Sequence, residues 1–496
     1  MATTEIIAAL DLGSNSFHLK VARVADGQLA VIDRMRDPVR LAAGLDKHEQ
    51  LTDEVCRRAL DTLERFGQRL RDIPPDNVRV VGTNTLRRAR NGTTFLAHAE
   101  TALGRPIEVI SGREEARLIY LGGAHSTAQD SGRRLVVDIG GGSTELIIGQ
   151  KFEALRTESL HMGCVAASRE FFPDGVIDAR RMRRAEIAAH QELESVEDSY
   201  RRMGWDSAIG ASGTVRNVWQ VLQDQGWSRK GITAKGVRTL RDALIQAGHA
   251  ERIDLRGLQP ERAPVFAGGV AILAAIFDAF DLKTMGCSDG ALREGLLYDL
   301  IGRLEHHDVR EASIDDLCAR YRAEEDQARR VAASAGLLLA RVAEIWDLGG
   351  QRYPHLLDWA ARLHEIGLDI AHSGYHRHGA YVLHNADLPG FSRQEQAEVA
   401  ALVHVHRRKF DLRQFDDLPR NHRARLLSLA VLLRIAVVLH RGRQDIDLAG
   451  LDVEAGAGWL RLHFSGTWLS EHPLTEADLA REKIYLKAAG IELTFS

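Results

Sequence analysis

The chain has 496 residues, of which 45% are hydrophobic and 27% charged, and its formal net charge is -4. This length is too great for one hydrophobic core and predicts about three or four domains. The charge balance argues against a protein covered with basic surface, so we expect no nucleic-acid partner, and any polyanion must be bound by a local cluster of cations.

The cysteines and the apolar runs bear on the cellular location. The four cysteines are widely separated, without the paired spacing of a zinc or redox site, which favours reduced thiols in the cytoplasm. We expect no secretory signal, because no charged segment precedes the first apolar run. We also expect no membrane span, because the longest apolar runs, 266–280 and 426–439, are shorter than about twenty residues.

The first predicted elements form a strand, a turn and a strand at 6–24, IIAALDLGSNSFHLKVARV, and the pattern returns at 134–152, RLVVDIGGGSTELIIGQKF. Asp11 aligns with Asp138. In each copy an apolar run ends at Asp-x-Gly, a small polar turn follows, and apolar residues then alternate, which is the period of a half-buried strand. Helical patterns follow, for example at 51–70, so we predict two related α/β domains that face each other across a cleft.

Glycine-rich turns at these two places predict a phosphate site. Without side chains in the way, successive backbone N–H groups can point at one anion. Asp138 at the end of a strand can hold Mg²⁺, directly or through water, and the cation would bridge phosphate oxygens. The chain has no Gly-x-x-x-x-Gly-Lys-Ser/Thr motif, and no helix is predicted directly after the glycines, which argues against P-loop and dinucleotide-binding sites.

The rest of the chain changes character twice. From about 312 to 445 almost every segment is predicted to be helical with one apolar face. The final segment predicts a strand at 458–466, a helix at 475–490 and a closing strand. We predict four domains with these boundaries: 1–125, 126–305, 306–445 and 446–496.

Several stretches carry a resemblance to a known family. They are DLGSNSFHLKVARV, GTNTLRRARN, ISGREEARLIYLG, VVDIGGGSTELIIG, HMGCV, AIGASGTVRNV, SDGALREGLLYDL and LHEIGLDIAHSGYHRHGAYVLHNADLPGF. Together they resemble the actin, sugar-kinase and Hsp70-like superfamily, and more closely the exopolyphosphatase and guanosine pentaphosphate phosphohydrolase (Ppx/GppA) family. The resemblance implies an α/β fold of two actin-like, ribonuclease H-like domains, then an all-α HD-like domain and a small α+β C-terminal domain.

The same resemblance implies roles for individual residues. Glu115, the second glutamate of SGREEA, would orient and deprotonate a water for in-line attack on the terminal phosphorus. Asp138 and Glu145 would lie around the Mg²⁺, with Asp11 as a further candidate and K⁺ as a candidate activator. Residues implied to contact phosphate are Gly13, Ser14, Asn15, Arg87, Gly140, Gly141, Gly142, Ser143, Thr144, Gly210, Ser212 and Gly213. From the residues alone, Glu114 and Glu115 could both be first-turn acids that complement a helix dipole, and this interpretation is retained for Glu114.

The third domain resembles the phosphohydrolases known by a His-Asp metal doublet, with departures. Gln327 stands where the first histidine is expected, and the doublet is His364-Glu365. We therefore expect no working metal site there. Candidates to line a polyphosphate channel are His378, Arg407, Arg408 and Lys409, although each could also belong to a solvated helix face.

The resemblance favours an exopolyphosphatase: Mg²⁺-dependent, processive hydrolysis of the terminal phosphate of inorganic polyphosphate by a cytoplasmic homodimer. Asp289 in SDGALREG, where nucleotide-preferring relatives often have glycine, and the His/Arg-rich stretch 372–381 favour polyphosphate. The first alternative is hydrolysis of guanosine pentaphosphate (pppGpp). Further alternatives are a polyphosphate:ADP phosphotransferase and a non-hydrolytic polyphosphate or alarmone sensor.

Overall fold

A computed structural model describes residues 5–25, 28–126, 132–288, 290–304, 308–418, 420–487 and 489–496. The chain divides into two compact units, Met1–Asp308 and Val309–Ser496. The finer predicted boundaries, at 125/126 and 445/446, stay predictions.

The first sheet of unit Met1–Asp308 contains the first predicted hairpin. Its strands are β1 (Glu5–Leu12), β2 (Phe17–Ala25), β3 (Gln28–Asp37), β4 (Val78–Gly82) and β5 (Glu108–Val109). Their order is β3-β2-β1-β4-β5, with β1 antiparallel to β2 and parallel to β4. The predicted strand, turn and strand at 6–24 are therefore confirmed as β1 and β2.

Helices cover the faces of this sheet. They are α1 (Asp53–Leu70), α2 (Asn84–Arg88), α3 (Gly92–Leu103) and α4 (Gly112–Ser126). The buried residues of α1 include Ala59, Leu63, Phe66 and Leu70, a spacing of three and four that places them on one face. That face packs into the same core as Leu10 of β1.

The second sheet repeats the first with one added strand. Its strands are β6 (Arg133–Ile139), β7 (Thr144–Gln150), β8 (Glu153–Leu160), β9 (Ser207–Ala211), β10 (Ile232–Thr233) and β11 (Thr284–Cys287), in the order β10-β11-β9-β6-β7-β8. β6 takes the place of β1 and β7 that of β2, because β6 is antiparallel to β7 and parallel to β9. The duplication predicted from the two hairpins therefore extends to the order of the strands.

The helices of this second half are α5 (Cys164–Phe171), α6 (Ala179–Met203), α7 (Ser212–Asp224), α8 (Ala234–Ala247), α9 (Ala263–Ala279) and α10 (Leu292–Leu304). Within the described residues, the helical stretch Pro260–Ala279 alone is long and apolar enough to cross a bilayer, and 67% of its apolar window is buried inside the protein. Core helices pass the same test of length and composition.

α4 and α10 meet between the two sheets and share one core. Ala116 and Ile119 of α4 and Leu296 of α10 pack together with Ile7 of β1 and Val136 of β6. The backbones come very close, since a Cβ at Gly295 would lie 1.8 Å from the carbonyl oxygen of Leu118. These two helices therefore form a closely packed pair in the middle of the unit.

Unit Val309–Ser496 begins with the predicted run of helices. They are α11 (Val309–Arg320), α12 (Glu325–Val342), α13 (Arg352–Leu363), α14 (Tyr375–Asn385), α15 (Arg393–Val405) and α16 (Arg420–Leu439). The segment after them contains β12 (Leu451–Gly456), β13 (Trp459–Phe464), α17 (Trp468–Glu471), α18 (Pro473–Lys487) and β14 (Glu492–Phe495). Leu460 and Leu462 of β13 share one core with Leu432 and Val403 of the helices.

Candidate active site

The ends of β1 and β6 bring the two predicted aspartates to one cleft of about 170 Å³. Strand pairing sets their positions, with Asp11 opposite His18 and Asp138 opposite Glu145. Of the predicted site residues, those that line this cleft are Asp11, Gly13, Ser14, Asn15, Glu115, Asp138, Gly140, Gly141, Gly142, Ser143, Glu145, Ser212 and Gly213.

The glycines of the second turn are needed because other chain segments approach them closely. The N–H of Gly140 donates to the carbonyl of Ser143 at 2.9 Å and closes the turn. A Cβ at Gly142 would lie 2.6 Å from Oδ1 of Asn84, and one at Gly163 would lie 2.5 Å from backbone atoms of Gly141. Side chains are thereby kept out of the turn, as an anion site made of backbone N–H groups requires.

A third element completes the wall of the cleft. Ser212, Gly213 and Thr214, at the start of α7, line it together with the two turns. Ser212 has a φ of +88°, a conformation that non-glycine residues rarely adopt. The N-terminal turn of a helix favours anions, so all three wall segments suit phosphate oxygens.

Three predicted phosphate contacts lie elsewhere. The hydroxyl of Thr144 is buried and donates to the carbonyl of Met162 at 2.7 Å. Gly210 lies within β9, where a Cβ would meet Val215 at 2.2 Å. Arg87 is not among the described residues that line the cleft, and its guanidinium contacts Glu115 instead.

Glu115 stands in the first turn of α4, at the edge of the cleft. Its N–H donates to the carbonyl of Ser111 at 2.9 Å, and its side chain is 11% exposed. Nη1 of Arg87 donates to Oε2 of Glu115 at 2.8 Å. The carboxylate predicted to be the base therefore lines the cleft and is held in one orientation by an arginine.

Burial raises the pKa of three carboxylates of the cleft, and the charges of their neighbours add to the rise. Burial raises the pKa of Asp11 to about 7, with Arg293 opposing and Glu115 adding to the rise. Burial raises the pKa of Asp138 to about 7 as well, and the charges of Glu115 and Asp11 add to it. The pKa of Glu145 is also raised well above its usual value, by burial and by Glu115 and Asp138. Such a cluster of acids attracts a cation.

The donor set fits Mg²⁺ better than a metal held by protein ligands alone. Oδ1 of Asp11 is buried and has no hydrogen-bond partner among the described residues. Within the same part of the chain, no three His, Cys, Asp or Glu side chains converge in the geometry of a complete metal site. Mg²⁺ keeps several waters and usually takes one or two carboxylates plus substrate phosphates, which these residues can supply.

A larger chamber of about 940 Å³ adjoins the cleft, and it contains cations that the sequence patterns did not single out. The two cavities share His18, Gly213, Arg216, Arg262 and Arg293. Nη1 of Arg293 lies 2.7 Å from Nδ1 of His18. The only signal in the sequence was that Arg216 and Arg293 lie within two of the stretches that carry the family resemblance, AIGASGTVRNV and SDGALREGLLYDL.

The chamber also has Arg34, Arg36, Lys20 and Trp219 in its walls. Lys20 forms an ion pair with Glu294. Arg36, Arg216, Arg262 and Arg293 have no carboxylate partner within 4.0 Å among the described residues. Several arginines without an ion pair around a cavity of this size suit a ligand with several negative charges.

The departures in the HD-like domain have structural roles. Nε2 of Gln327 donates to the carbonyl of His440 at 2.8 Å, and Nδ1 of His364 is 2.6 Å from the carbonyl of Ala361. The carboxylate of Glu365 accepts from Nη2 of Arg443 at 2.7 and 2.9 Å. The expectation that this domain has no working metal site stays a prediction.

The predicted channel residues lie in unit Val309–Ser496. Arg407 stacks over the ring of Tyr375, 4.3 Å from its centroid, Arg408 and Lys409 are exposed, and His378 is half-buried. Asp289, on which the preference for polyphosphate partly depended, lies outside the described residues. The channel stays a prediction.

Two sheets that share one strand order, apart from an added strand in the second, each contribute a glycine turn to a cleft with a carboxylate at its edge. This arrangement defines the class of protein: an actin-like hydrolase of phosphoanhydride bonds. The chain belongs to the Ppx/GppA phosphatase family, whose model matches residues 20–304, while the model of its domain III matches residues 309–483.

Similar proteins match nearly the whole chain. A guanosine-5'-triphosphate,3'-diphosphate pyrophosphatase of Vibrio parahaemolyticus is 40% identical over 497 residues, which is 100% of this chain and 99% of the relative. The Vibrio campbellii protein of the same name is 42% identical and covers 97% of this chain, with 96% of its own length matched.

Solved structures confirm the fold of part of the chain. The Aquifex aeolicus member of the Ppx/GppA family has a TM-score of 0.52 and 25% identity, and covers 61% of this chain and 99% of its own. An exopolyphosphatase from Cytophaga hutchinsonii has a TM-score of 0.53 and 25% identity, and covers 60% of this chain and 98% of its own.

The relatives correct one prediction and support another. The exopolyphosphatase prediction is wrong, because the full-length relatives at about 40% identity carry the name of the first alternative. Part of the His/Arg-rich stretch that favoured polyphosphate packs inside the protein, since Tyr375 and His376 are buried. The prediction of a phosphoanhydride hydrolase is confirmed, and the names lend no support to the phosphotransferase or the sensor. The homodimer, K⁺ activation and the cytoplasmic location stay predictions.

Proposed function

We propose that this chain hydrolyses the terminal 5'-phosphate of pppGpp and releases guanosine tetraphosphate and orthophosphate. The observation that carries the proposal is that the cleft with Glu115 and two glycine turns adjoins a chamber lined by several arginines. The names of the full-length relatives support the same substrate.

The reaction assigns each part of the cleft a role. Glu115 takes a proton from a water molecule, which attacks the terminal phosphorus in line, and the bond from that phosphorus to the bridging oxygen breaks. Backbone N–H groups of the two turns, at Gly13 and at Gly141–Gly142, hold the phosphate oxygens. Mg²⁺, when held by Asp11 and Asp138, supplies neutralisation of the charge on the phosphates.

The chamber accounts for the remainder of the substrate. A triphosphate whose terminal group lies in the cleft places its nucleoside and its 3'-diphosphate beyond the shared residues. Burial lowers the pKa of Arg262 and Arg293, and neighbouring arginines contribute to this, so a bound polyanion relieves their repulsion. Trp219 offers an aromatic surface to a purine base.

A substrate comparison tests the proposal. Purified protein with Mg²⁺ is given pppGpp, GTP or long polyphosphate, and orthophosphate and nucleotide products are followed. We expect the highest kcat/KM for pppGpp and a lower value for GTP, which lacks the 3'-diphosphate that the arginines would bind. Faster release from polyphosphate, or equal values for GTP and pppGpp, would contradict the proposal.

A pair of arginine variants tests the part played by the chamber. Arg262→Gln should raise KM for pppGpp about tenfold or more, because a charge-assisted contact contributes about 1.5 to 3 kcal/mol. Arg238→Gln, on the exposed side of α8, is the matched control and should leave KM unchanged. The effect of Arg262→Gln should also diminish as salt concentration rises.

A further inference from the structure

A buried network of charges lies behind Glu115, at the contact of β4, α4 and α10. Its members are Arg79 of β4, Glu114 and Arg117 of α4, and Asp299 of α10. The side chains of Arg79 and Glu114 are 1% exposed and that of Asp299 is 4% exposed. The hydrolysis mechanism uses none of these four residues.

The contacts form a continuous chain from α10 to the first turn of α4. Nε and Nη2 of Arg117 donate to the two carboxylate oxygens of Glu114, each at 2.8 Å. Nη2 of Arg117 also donates to Asp299, and Nη1 of Arg79 donates to the other oxygen of Asp299. Nη2 of Arg79 lies 3.8 Å from Glu114.

Asp299 is the point at which the arginines meet. Burial alone would raise the pKa of Asp299, but the charges of Arg117, Arg79 and Arg303 hold it well below its usual range. Nε of Arg303 donates to Asp299 at 3.0 Å. The carboxylate is therefore ionised and fully engaged on both of its oxygens.

A buried network of charges is weak evidence that the network stabilises the contact between the helices. Apolar side chains of similar volume often stabilise a core as well as a buried ion network does, because burying charges carries a large desolvation penalty. The helices already pack closely through Gly295 and Leu118. Bidentate arginine contacts do add directional geometry, which fixes how the first turn of α4 is placed along and around its axis.

That first turn carries Glu115, the residue after Glu114. α10 also carries Arg293 into the cleft, so the same helix that holds Asp299 presents a cation beside Asp11 and Asp138. Fixing α4 on α10 therefore fixes the base relative to the groups that face the substrate.

We propose that Asp299 is a positioning residue for hydrolysis, which acts through Arg117 and Glu114 to set the place of the Glu115 carboxylate. The inference rests on the proposed role of Glu115 as the base. It also assigns Glu114 a structural role different from that of a first-turn acid complementing the helix dipole.

The test distinguishes a variant in which the Glu115 carboxylate is misplaced from a variant that does not fold. Asp299→Asn keeps the shape but removes the charge, and it should lower kcat about 10- to 100-fold, because displacements of about 1 Å have such effects. The affinity for pppGpp, measured by calorimetry in the Glu115→Gln background, should change less than about twofold. Arg117→Gln, at the more exposed end of the network, is the second variant in case Asp299→Asn does not fold, and it should show the same division between kcat and affinity.

The matched control removes the carboxylate from another buried pair of an arginine and a glutamate. Glu482→Gln disturbs the pair with Arg434 in unit Val309–Ser496 and should leave kcat per folded molecule unchanged. If Asp299→Asn and Arg117→Gln, folded by circular dichroism, keep the wild-type kcat, or if they weaken substrate affinity as much as they lower kcat, the inference is overturned. If Glu115→Gln itself retains the wild-type rate, the proposed base fails instead, which is a distinguishable result.

Discussion

Arg87 donates through Nη1 to Oε2 of Glu115 at 2.8 Å and to the carbonyl of Ile110 at 3.0 Å. The arginine is thereby anchored to the backbone while it holds one oxygen of the carboxylate. Among the described residues no donor contacts the other oxygen of Glu115, which can therefore accept from a water molecule. A base with a third group that orients it is a recurring arrangement in hydrolases.

Replacing Arg87 tests whether it orients the base or binds phosphate, as the family resemblance implied. If it orients Glu115, Arg87→Gln lowers kcat about 10- to 100-fold with little change in KM, since general-base catalysis contributes about 10²- to 10⁴-fold. Steady-state kinetics with pppGpp measure both constants. A rise in KM with kcat retained would indicate the phosphate contact instead.

The neighbouring Arg88 is the control for this variant. Arg88 is about half exposed and pairs with Glu49 at the surface, so Arg88→Gln should leave both constants unchanged. Arg87→Lys should recover only part of the activity, because the lysine ammonium ends one bond short of Nη1, the atom from which Arg87 makes both contacts.

Glu115→Gln should reduce hydrolysis by about 10³-fold while binding of pppGpp is retained, because the amide cannot accept the proton of water. Phosphate release measures the rate, and calorimetry measures the affinity. Loss of affinity together with rate, or a thermal midpoint far below that of the wild type, would show that Glu115 serves binding or folding.

Local patterns in the sequence were sufficient to predict the two hairpins. The strand period, the Asp-x-Gly motif and the small turn residues all lie within one short segment, so local pattern alone places Asp11, Asp138 and the glycines at the ends of strands. Glu115 was reached through the family motif, and the fold brings it to the same cleft.

Contacts between residues that are far apart in the chain could not be predicted from local sequence patterns. Arg216, Arg262 and Arg293 come from three distant segments of the chain, and no periodic pattern brings them together. Arg79 and Asp299 meet only because α10 returns to the first sheet. The choice of substrate was wrong for a related reason: it depended on one position and one short stretch of sequence instead of the walls of the chamber.

Mg²⁺ should stabilise the protein more at alkaline pH than at acid pH. Burial raises the pKa of Asp11 and Asp138 from 3.8 to about 7, so the folded state holds protons that the unfolded state has released. Their contribution to folding is complete below about pH 4 and is lost as the pH rises through about 7. At higher pH the cluster is charged, and a cation replaces the protons.

Thermal unfolding with and without Mg²⁺, at about pH 6 and about pH 8, measures this effect. We expect a larger rise of Tm at the higher pH, and saturating Mg²⁺ at about 100 times its Kd adds about 2.7 kcal/mol. Asp138→Asn should lose most of the response. An equal rise of Tm at both pH values would refute the assignment of these carboxylates to the cation.

A cluster of four histidines in unit Val309–Ser496, joined by ring contacts, predicts a loss of stability in acid. Burial lowers the pKa of His376 to about 4, with His404 and nearby arginines adding to this effect. The pKa values of His364, His404 and His406 are also lowered, mainly by burial. The charged groups around them are Arg377, Arg407, Arg408, Arg434, Arg443, Glu365 and Asp411.

The direction in which stability changes with pH follows from the number of protons that the folded and unfolded states bind. Below pH 6.5 the unfolded histidines are protonated while the buried ones stay neutral, so the stability is fully present above pH 6.5 and is lost as the pH falls towards about 4. Each group can contribute up to about 1.4 kcal/mol per pH unit in this window.

Urea unfolding at about pH 7.5 and about pH 5, monitored by proteolysis of segment 309–496, should show the difference in stability. His376→Gln cannot gain a proton and should reduce the pH dependence, whereas His372→Gln at an exposed position should leave it unchanged. If both variants keep the wild-type dependence, the loss of stability arises from other groups.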